Sequence, residues 1–226
     1  MAELHLFVPE LLLHQGRFQA GKALVVEKGR VVGVVPAPQA GAEPGRVTAL
    51  PGRALLPGLV NTHSHAFQRV IRGRTEWREL GHATDDFWTW REQMYQAAMA
   101  LSPDELFAVS RMCFLEMALA GFTTVGEFHY LHHQPDGRPY DNVAEMALRI
   151  VAAAAETGIG LTLLPVFYRQ SGFGGQPATP AQRRFLNDRD SYARLMETKV
   201  AAGVPGGRIG IAPHSLRAVT LDDLKW

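Results

Sequence analysis

Cysteine is nearly missing from this sequence, because Cys113 is the only one among its 226 residues. A single cysteine cannot form a disulfide within the chain, and chains without disulfides are typical of reducing compartments. Cys113 lies in an apolar pattern with helical spacing, where we expect a buried and unreactive thiol. The cysteine content therefore predicts a cytoplasmic protein.

The sequence also has no excess of charge and no long hydrophobic run. Its 23 basic and 22 acidic residues give a formal net charge of +1 and form no basic stripe. This balance argues against nucleic acid or an anionic membrane as a partner and favours a small molecule. No stretch approaches the roughly 18 consecutive apolar residues of a membrane-spanning helix, so we predict neither a membrane segment nor a targeting segment.

Hydrophobic residues make up 46% of the chain, which allows a substantial core, and their spacing changes along the sequence. The first part has short apolar runs broken by turn residues, including a hairpin predicted around Lys28-Gly29. The second part alternates strand patterns with helix patterns. We predict that residues 1–56 form a small β-sandwich part and that residues 57–226 form a barrel of strands and helices.

The second part carries four strand patterns, each with polar residues at its C-terminal end: 55–65, 123–129, 160–167 and 208–214. Parallel strands separated by helices make an α/β fold, and polar strand ends favour a (β/α)8 barrel over an open sheet. A full barrel has eight strands in roughly 250 residues. We therefore interpret the chain as a truncated N-terminal half of a larger barrel enzyme.

His63 and His65 stand at the C-terminal end of the first of these strands. Residues two apart in a strand point to the same side, so both imidazoles can reach one metal ion. Imidazole is a ligand for borderline cations such as zinc. With nine histidines in the chain, a His-x-His triplet arises readily by chance. Its position at a strand end is what supports a metal site.

Several motifs resemble a known family. Residues 57–65, Pro-Gly-Leu-Val-Asn-Thr-His-Ser-His, resemble the first barrel strand of the amidohydrolase superfamily, whose His-x-His pair binds the catalytic metal. Four further stretches resemble the formimidoylglutamate deiminase family within that superfamily: 65–69, 86–95, 126–133 and 212–219. The resemblance implies a TIM-type (β/α)8 barrel and a metal-dependent deiminase of histidine degradation.

The resemblance also implies a substrate and the residues that bind it. Members of that family convert N-formimidoyl-L-glutamate and water into N-formyl-L-glutamate and ammonia. Arginine binds carboxylates through a planar fork, which suits a substrate with two carboxylates. The matching positions assign substrate binding to five residues of this chain: Gln68, Arg91, Tyr130, His214 and Arg217.

For the metal, the resemblance implies one divalent transition ion, with Zn²⁺ as the first expectation, held by His63 and His65. It places the remaining metal ligands and the catalytic acid and base after Trp226, so we expect no catalytic residue within this chain. We expect the 226 residues by themselves to be inactive and the full-length enzyme to be a homodimer. Three further histidines are expected to support the site without touching metal: His129, His132 and His133.

Two alternatives stay open at this stage. Another amidohydrolase deaminase, acting on a purine, pyrimidine or triazine ring, would share the two metal-binding histidines. Burying Arg91 and Arg217 against a neutral ring would cost free energy, which argues against this reading. The other alternative is a chain without activity that only binds metal.

Overall fold

The computed structural model describes residues 4–38, 46–75, 86–198 and 207–226. The chain divides into two compact units, Met1–Gly58 and Leu59–Trp226. The sequence placed this division after residue 56, close to where the structure has it. Within the described residues, no helix is long and apolar enough to cross a membrane.

The first unit is a five-stranded sheet in which β2, β1, β3 and β4 lie side by side and β5 pairs with β1. All neighbouring strands are antiparallel except β1 and β5, which are parallel. The predicted hairpin is confirmed, since Lys28 and Gly29 form its turn with φ values of 49° and 74°. Such positive φ angles match the right-handed twist of the two strands. The strands are β1 (Leu4–His14), β2 (Arg17–Gln19), β3 (Lys22–Glu27), β4 (Arg30–Pro36) and β5 (Arg46–Leu55).

The second unit alternates strands and helices, as the sequence predicts. Its strands are parallel and lie in chain order, with β6 next to β7, β7 next to β8, and β8 next to both β9 and β10. Short 3-10 helices span Ala66–Ile71 and Pro180–Gln182. The other elements are β6 (Leu59–Ser64), α1 (Phe87–Ala100), α2 (Pro103–Leu119), β7 (Phe122–His129), α3 (Glu145–Thr157), β8 (Gly160–Phe167), α4 (Arg189–Glu197), β9 (Arg208–Ile209), β10 (Ala212–Pro213) and α5 (Leu221–Lys225).

The fourth strand differs from the prediction of one continuous strand over 208–214. It consists of the two short strands β9 and β10, which pair with different parts of β8. Gly210 lies between them, and a Cβ atom there would stand 2.7 Å from the side chain of Leu164. A larger residue at this position would require the Leu164 side chain to move. The backbone N–H of Gly210 still donates a hydrogen bond to the Leu163 carbonyl on β8 at 2.9 Å.

Helix α2 begins where the sequence places a capping box. The Ser102 hydroxyl accepts a hydrogen bond from the Glu105 backbone N–H, and the Glu105 carboxylate accepts one from the Ser102 N–H. This reciprocal pair satisfies two backbone donors that a helix start leaves free. Helices α2 and α3 pack on the sheet through buried apolar faces, including Leu106, Phe114, Met146 and Ile150.

Arg184 is fully buried, although arginine is rarely found in a protein core. Its guanidinium donates hydrogen bonds to the backbone carbonyls of Ala98, Leu101 and His133. Ala98 is in the last turn of α1 and Leu101 follows the helix, so these carbonyls lack partners within the helix and lie at its negative end. Burial lowers the pKa of Arg184 from its ordinary value. This side chain joins the end of α1 to the loop that follows β7.

We expect Arg184→Met to lower the free energy of unfolding by about 2–4 kcal/mol, because three buried carbonyls lose their donor. The matched control is Arg183→Met, since the hydrogen bonds of Arg183 to Pro135 and Pro180 are exposed to solvent. We expect that control to lose about 1 kcal/mol or less. Denaturant unfolding followed by circular dichroism measures both, and equal losses in the two variants would contradict the assignment.

Candidate active site

The C-terminal ends of the parallel strands meet at one edge of the sheet in the second unit. In barrels and other parallel α/β folds, this edge carries the functional residues. His63 and His65 come from the end of β6, and Tyr130 directly follows β7. Tyr168 directly follows β8, and His214 directly follows β10. The topology alone thus brings together side chains that are far apart in sequence.

The two histidines face each other as their spacing predicts. His63 Nε2 and His65 Nε2 are 3.0 Å apart. His65 Nδ1 lies 3.0 Å from the carbonyl oxygen of Phe128 on β7. A carbonyl only accepts, so Nδ1 carries the proton and Nε2 keeps its lone pair free. Burial lowers the pKa of His65, and the hydrogen bond to Phe128 opposes that shift.

This geometry fits two ligands of one zinc ion. Zinc binds imidazole nitrogens at about 2.0–2.1 Å, which puts two tetrahedral ligands about 3.3 Å apart. The two Nε2 atoms are within a few tenths of an ångström of that spacing. Histidine ligands also tend to donate their other N–H to a carbonyl or carboxylate, as His65 does. Within the described ranges, no group of three or more metal-binding side chains is found. The described residues therefore supply the pair and no more.

Glu127 on β7 contacts the residue that follows His65. The sequence patterns did not predict a role for it. Its side chain is fully buried, and its Oε1 accepts a hydrogen bond from the backbone N–H of Ala66 at 2.7 Å. Burial raises the pKa of Glu127 to about 7, against hydrogen bonds from Ala66 and Ser64 that lower it. The sequence signal that could have identified Glu127 is a charged residue at a buried position of a strand pattern, because such a residue needs a specific partner. Glu127 fixes the turn that follows His65.

A cavity of about 210 Å³ opens beside the histidine pair. All five residues predicted to bind substrate line it, together with His65 and aromatic residues from α1. Their roles stay predictions, but the structure places them around one space. The lining consists of His65, Gln68, Phe87, Trp90, Arg91, Met94, Tyr95, Tyr130, Tyr168, Phe185, His214 and Arg217.

Gln68 and Tyr130 act as one unit in the wall of the cavity. Gln68 Nε2 donates a hydrogen bond to the Tyr130 hydroxyl at 2.8 Å. The Tyr130 ring also lies edge-on to His65 and His214, with centroids 5.2 Å and 6.0 Å away. Burial raises the pKa of Tyr130, so its hydroxyl stays protonated and can donate. The pair offers hydrogen-bond donors directly beside the histidines.

Arg91 and Arg217 bring two positive charges to the same cavity. The Arg91 guanidinium lies over the Trp88 ring at 4.3 Å and over the Tyr95 ring at 5.5 Å. Arg217 donates a hydrogen bond to the carbonyl of Ser171 at 2.9 Å. Within the part of the chain that the structure describes, neither arginine forms an ion pair with a carboxylate. Arg91 contacts aromatic rings and Arg217 contacts a backbone carbonyl, so the guanidinium groups of both remain available to an anion.

His214 stays neutral in this surrounding. Burial, Arg217 and His65 together lower its pKa to about 4. A neutral imidazole has one donor and one acceptor nitrogen, so it can contact a substrate N–H or carbonyl without adding charge.

Three histidines at and after the end of β7, namely His129, His132 and His133, lie apart from the cavity. His129 and His132 are buried, and His132 Nε2 lies 2.9 Å from the carbonyl of Val166. His133 Nε2 lies 2.6 Å from the carbonyl of Leu186. None of them lines the cavity. His132 and His133 join the loop after β7 to β8 and to the segment around Leu186. The supporting role expected of the three histidines stays a prediction.

The amidohydrolase family profile matches residues 54–226. The chain belongs to the amidohydrolase family. As a member of that family it is similar to the formimidoylglutamate deiminase of Pseudomonas aeruginosa, with 49% identity over 170 residues, covering 75% of this chain and 37% of the relative. That identity confirms the resemblance inferred from the motifs.

Solved structures of amidohydrolases agree on the fold. An amidohydrolase from Brucella melitensis superposes with a TM-score of 0.88 at 43% identity, covering 98% of this chain and 48% of that one. An adenosine deaminase from Xanthomonas campestris with bound zinc gives a TM-score of 0.63 at 21% identity, covering 92% and 42%. These similarities confirm the predicted α/β barrel class. The chain thus spans less than half the length of each of these three proteins.

Cys113 lies in α2 and outside the cavity, and we expect its thiol to be unreactive. Burial raises its pKa to about 12, and Glu127 and Glu116 add to the shift. At pH 8 its thiolate fraction, and hence its alkylation rate, should be about 10³-fold below that of a cysteine with an ordinary pKa. Labelling with iodoacetamide before and after unfolding in guanidinium measures the difference. Equal rates in the folded and unfolded protein would contradict the prediction.

Proposed function

We propose that the protein is a metal-dependent hydrolytic deiminase that converts N-formimidoyl-L-glutamate and water into N-formyl-L-glutamate and ammonia. The observation that carries this proposal is one cavity lined by His65, Arg91 and Arg217, with His63 Nε2 3.0 Å from His65 Nε2. The similarity to the formimidoylglutamate deiminase of Pseudomonas aeruginosa supports it further. The proposal places the protein in histidine degradation, in the cytoplasm.

The charges of the cavity match this substrate. N-formimidoyl-L-glutamate has two carboxylates, and Arg91 and Arg217 supply two cations without a carboxylate of their own among the described residues. Charge-assisted hydrogen bonds from arginine to carboxylate are shorter and stronger than neutral ones. A substrate that brings both negative charges would pair with two half-buried cations.

The histidine pair would hold a divalent transition metal, and we propose zinc. When bound, zinc supplies Lewis-acid chemistry that makes water a nucleophile at neutral pH. His65 is held in the required tautomer by Phe128, and Gln68 and Tyr130 present donors to the nitrogen end of the substrate. In the overall reaction, water adds to the formimidoyl carbon and the C–N bond to the terminal nitrogen breaks. That nitrogen leaves as ammonia.

Other features of the proposal stay predictions. We expect the proton-transferring residues to lie outside this chain, and the 226 residues alone to be inactive. A homodimer is expected for the whole enzyme. The ring-deaminase alternative shares the histidine pair, yet a neutral heterocycle would leave the guanidinium groups of Arg91 and Arg217 without a carboxylate partner.

We expect His63→Ala to reduce bound zinc to about a tenth or less, because the site loses one of the two imidazoles that the described residues supply. His14→Ala, in the first unit, is the control and should keep the zinc content unchanged. Metal analysis after dialysis, on the protein as its gene encodes it, gives the result. Full zinc content in the His63 variant would rule out this pair as the ligands.

We expect ammonia release to be fastest with N-formimidoyl-L-glutamate in a set that also holds guanine, cytosine and adenosine. Arg217→Met should lower kcat/KM for that substrate by about 10- to 100-fold, the size of a lost charged hydrogen bond. Arg138→Met is the control, since Arg138 is exposed and pairs with Asp136. Preference for any ring substrate would reject the proposed function in favour of the alternative.

A further inference from the structure

Tyr168 lines the cavity, and neither the motifs nor the family resemblance assigned it a role. It directly follows β8, and only 2% of its surface is exposed. Its ring lies edge-on to His214 with a centroid distance of 4.7 Å. Burial raises the pKa of Tyr168 to about 12, while the charges of Arg217 and Arg91 lower it. Its hydroxyl is thus protonated and close to both cations.

The orientation of this hydroxyl is set by Gln182, which is also buried. Gln182 Nε2 donates to the hydroxyl oxygens of Tyr168 at 2.7 Å and Tyr95 at 3.1 Å. Gln182 Oε1 accepts from the Thr179 backbone N–H at 2.8 Å. If the amide oxygen and nitrogen of Gln182 were exchanged, its NH₂ group would face the backbone N–H of Thr179, and two donors would meet. The amide therefore has one orientation, with both of its hydrogens on the tyrosines.

Each phenol keeps its own hydrogen in this arrangement. Because Gln182 donates to both phenols, neither phenol can donate to Gln182. In the described ranges, no backbone carbonyl or carboxylate accepts a hydrogen bond from either hydroxyl. Both tyrosines line the cavity, so the hydrogen of the Tyr168 hydroxyl is available to a ligand there.

We propose that the Tyr168 hydroxyl is a further substrate-binding group, which donates a hydrogen bond to a carboxylate drawn in by Arg91 and Arg217. Gln182 is the positioning residue that turns this hydroxyl toward the substrate. The inference rests on the proposed function, because it requires a substrate that carries carboxylates. A neutral donor in the same cavity as two arginines stabilises an anion without adding a third charge.

The test is Tyr168→Phe, which removes the hydroxyl and keeps the ring. We expect KM for N-formimidoyl-L-glutamate to rise about 10-fold with kcat within about threefold, as for a lost hydrogen bond to a charged group. The matched control is Tyr192→Phe, because Tyr192 is buried too but donates to the carbonyl of Pro165, outside the cavity. We expect no change of KM there. If Tyr95→Phe raised KM while Tyr168→Phe did not, the inference would be overturned.

Substrate analogues show which group the hydroxyl meets. In N-formimidoyl-L-glutamine and in the α-amide of N-formimidoyl-L-glutamate, one carboxylate is replaced by a neutral amide. We expect the KM penalty of Tyr168→Phe to shrink to about twofold or less for one of the two analogues. A full 10-fold penalty on both would show that the hydroxyl does not meet a carboxylate.

Gln182→Leu tests the positioning role. The variant should raise KM about threefold, and this rise should vanish when Tyr168 is already phenylalanine, since the two act through one hydrogen bond. Additive effects would overturn the role of Gln182. If the full-length wild-type enzyme does not act on N-formimidoyl-L-glutamate, the proposed function and this inference both fall. If it does and Tyr168→Phe leaves KM unchanged, only the inference falls.

Discussion

The hydrogen bond between His65 Nδ1 and the Phe128 carbonyl is the contact on which the site depends. It joins the end of β6 to β7 and leaves the Nε2 lone pair of His65 beside that of His63. The bond forms only because β6 and β7 are parallel and in register, with Ser64 opposite Glu127. A slip of one residue would turn every side chain of β6 to the other face and separate the pair. The register of β6 with β7 therefore also fixes the geometry of the proposed metal site.

The charge around the cavity comes from its arginines. Burial, Arg217 and His65 lower the pKa of His214, and burial raises the pKa of Tyr168, so both side chains are neutral, whereas arginines do not lose their proton in proteins. The cavity thus keeps a fixed positive charge over the physiological pH range. Such a charge favours anionic ligands over neutral ones, because opposite charges attract more strongly in a partly desolvated site than in water.

Local patterns in the sequence predicted the parallel strands, the capping box of α2 and the same-face placement of His63 and His65. The family resemblance supplied five further residues, which the structure places around one cavity. What the sequence did not reveal is Glu127, Gln182 and Arg184, whose partners are distant. Gln182 reaches Tyr95 across 87 positions, and no periodicity encodes such a contact. The division of the fourth strand into β9 and β10 was also not predicted, since both parts depend on their pairing with β8.

The buried guanidinium of Arg184 has a consequence for the order of assembly. It follows its partners Ala98 and Leu101 by 86 and 83 residues, and His133 by 51. Contacts of such sequence separation carry a large loop-closure entropy and form late in folding. During synthesis, the aromatic helix that walls the cavity has emerged from the ribosome long before the residue that fastens it. The end of α1 is thus fastened only after residue 184 has been made.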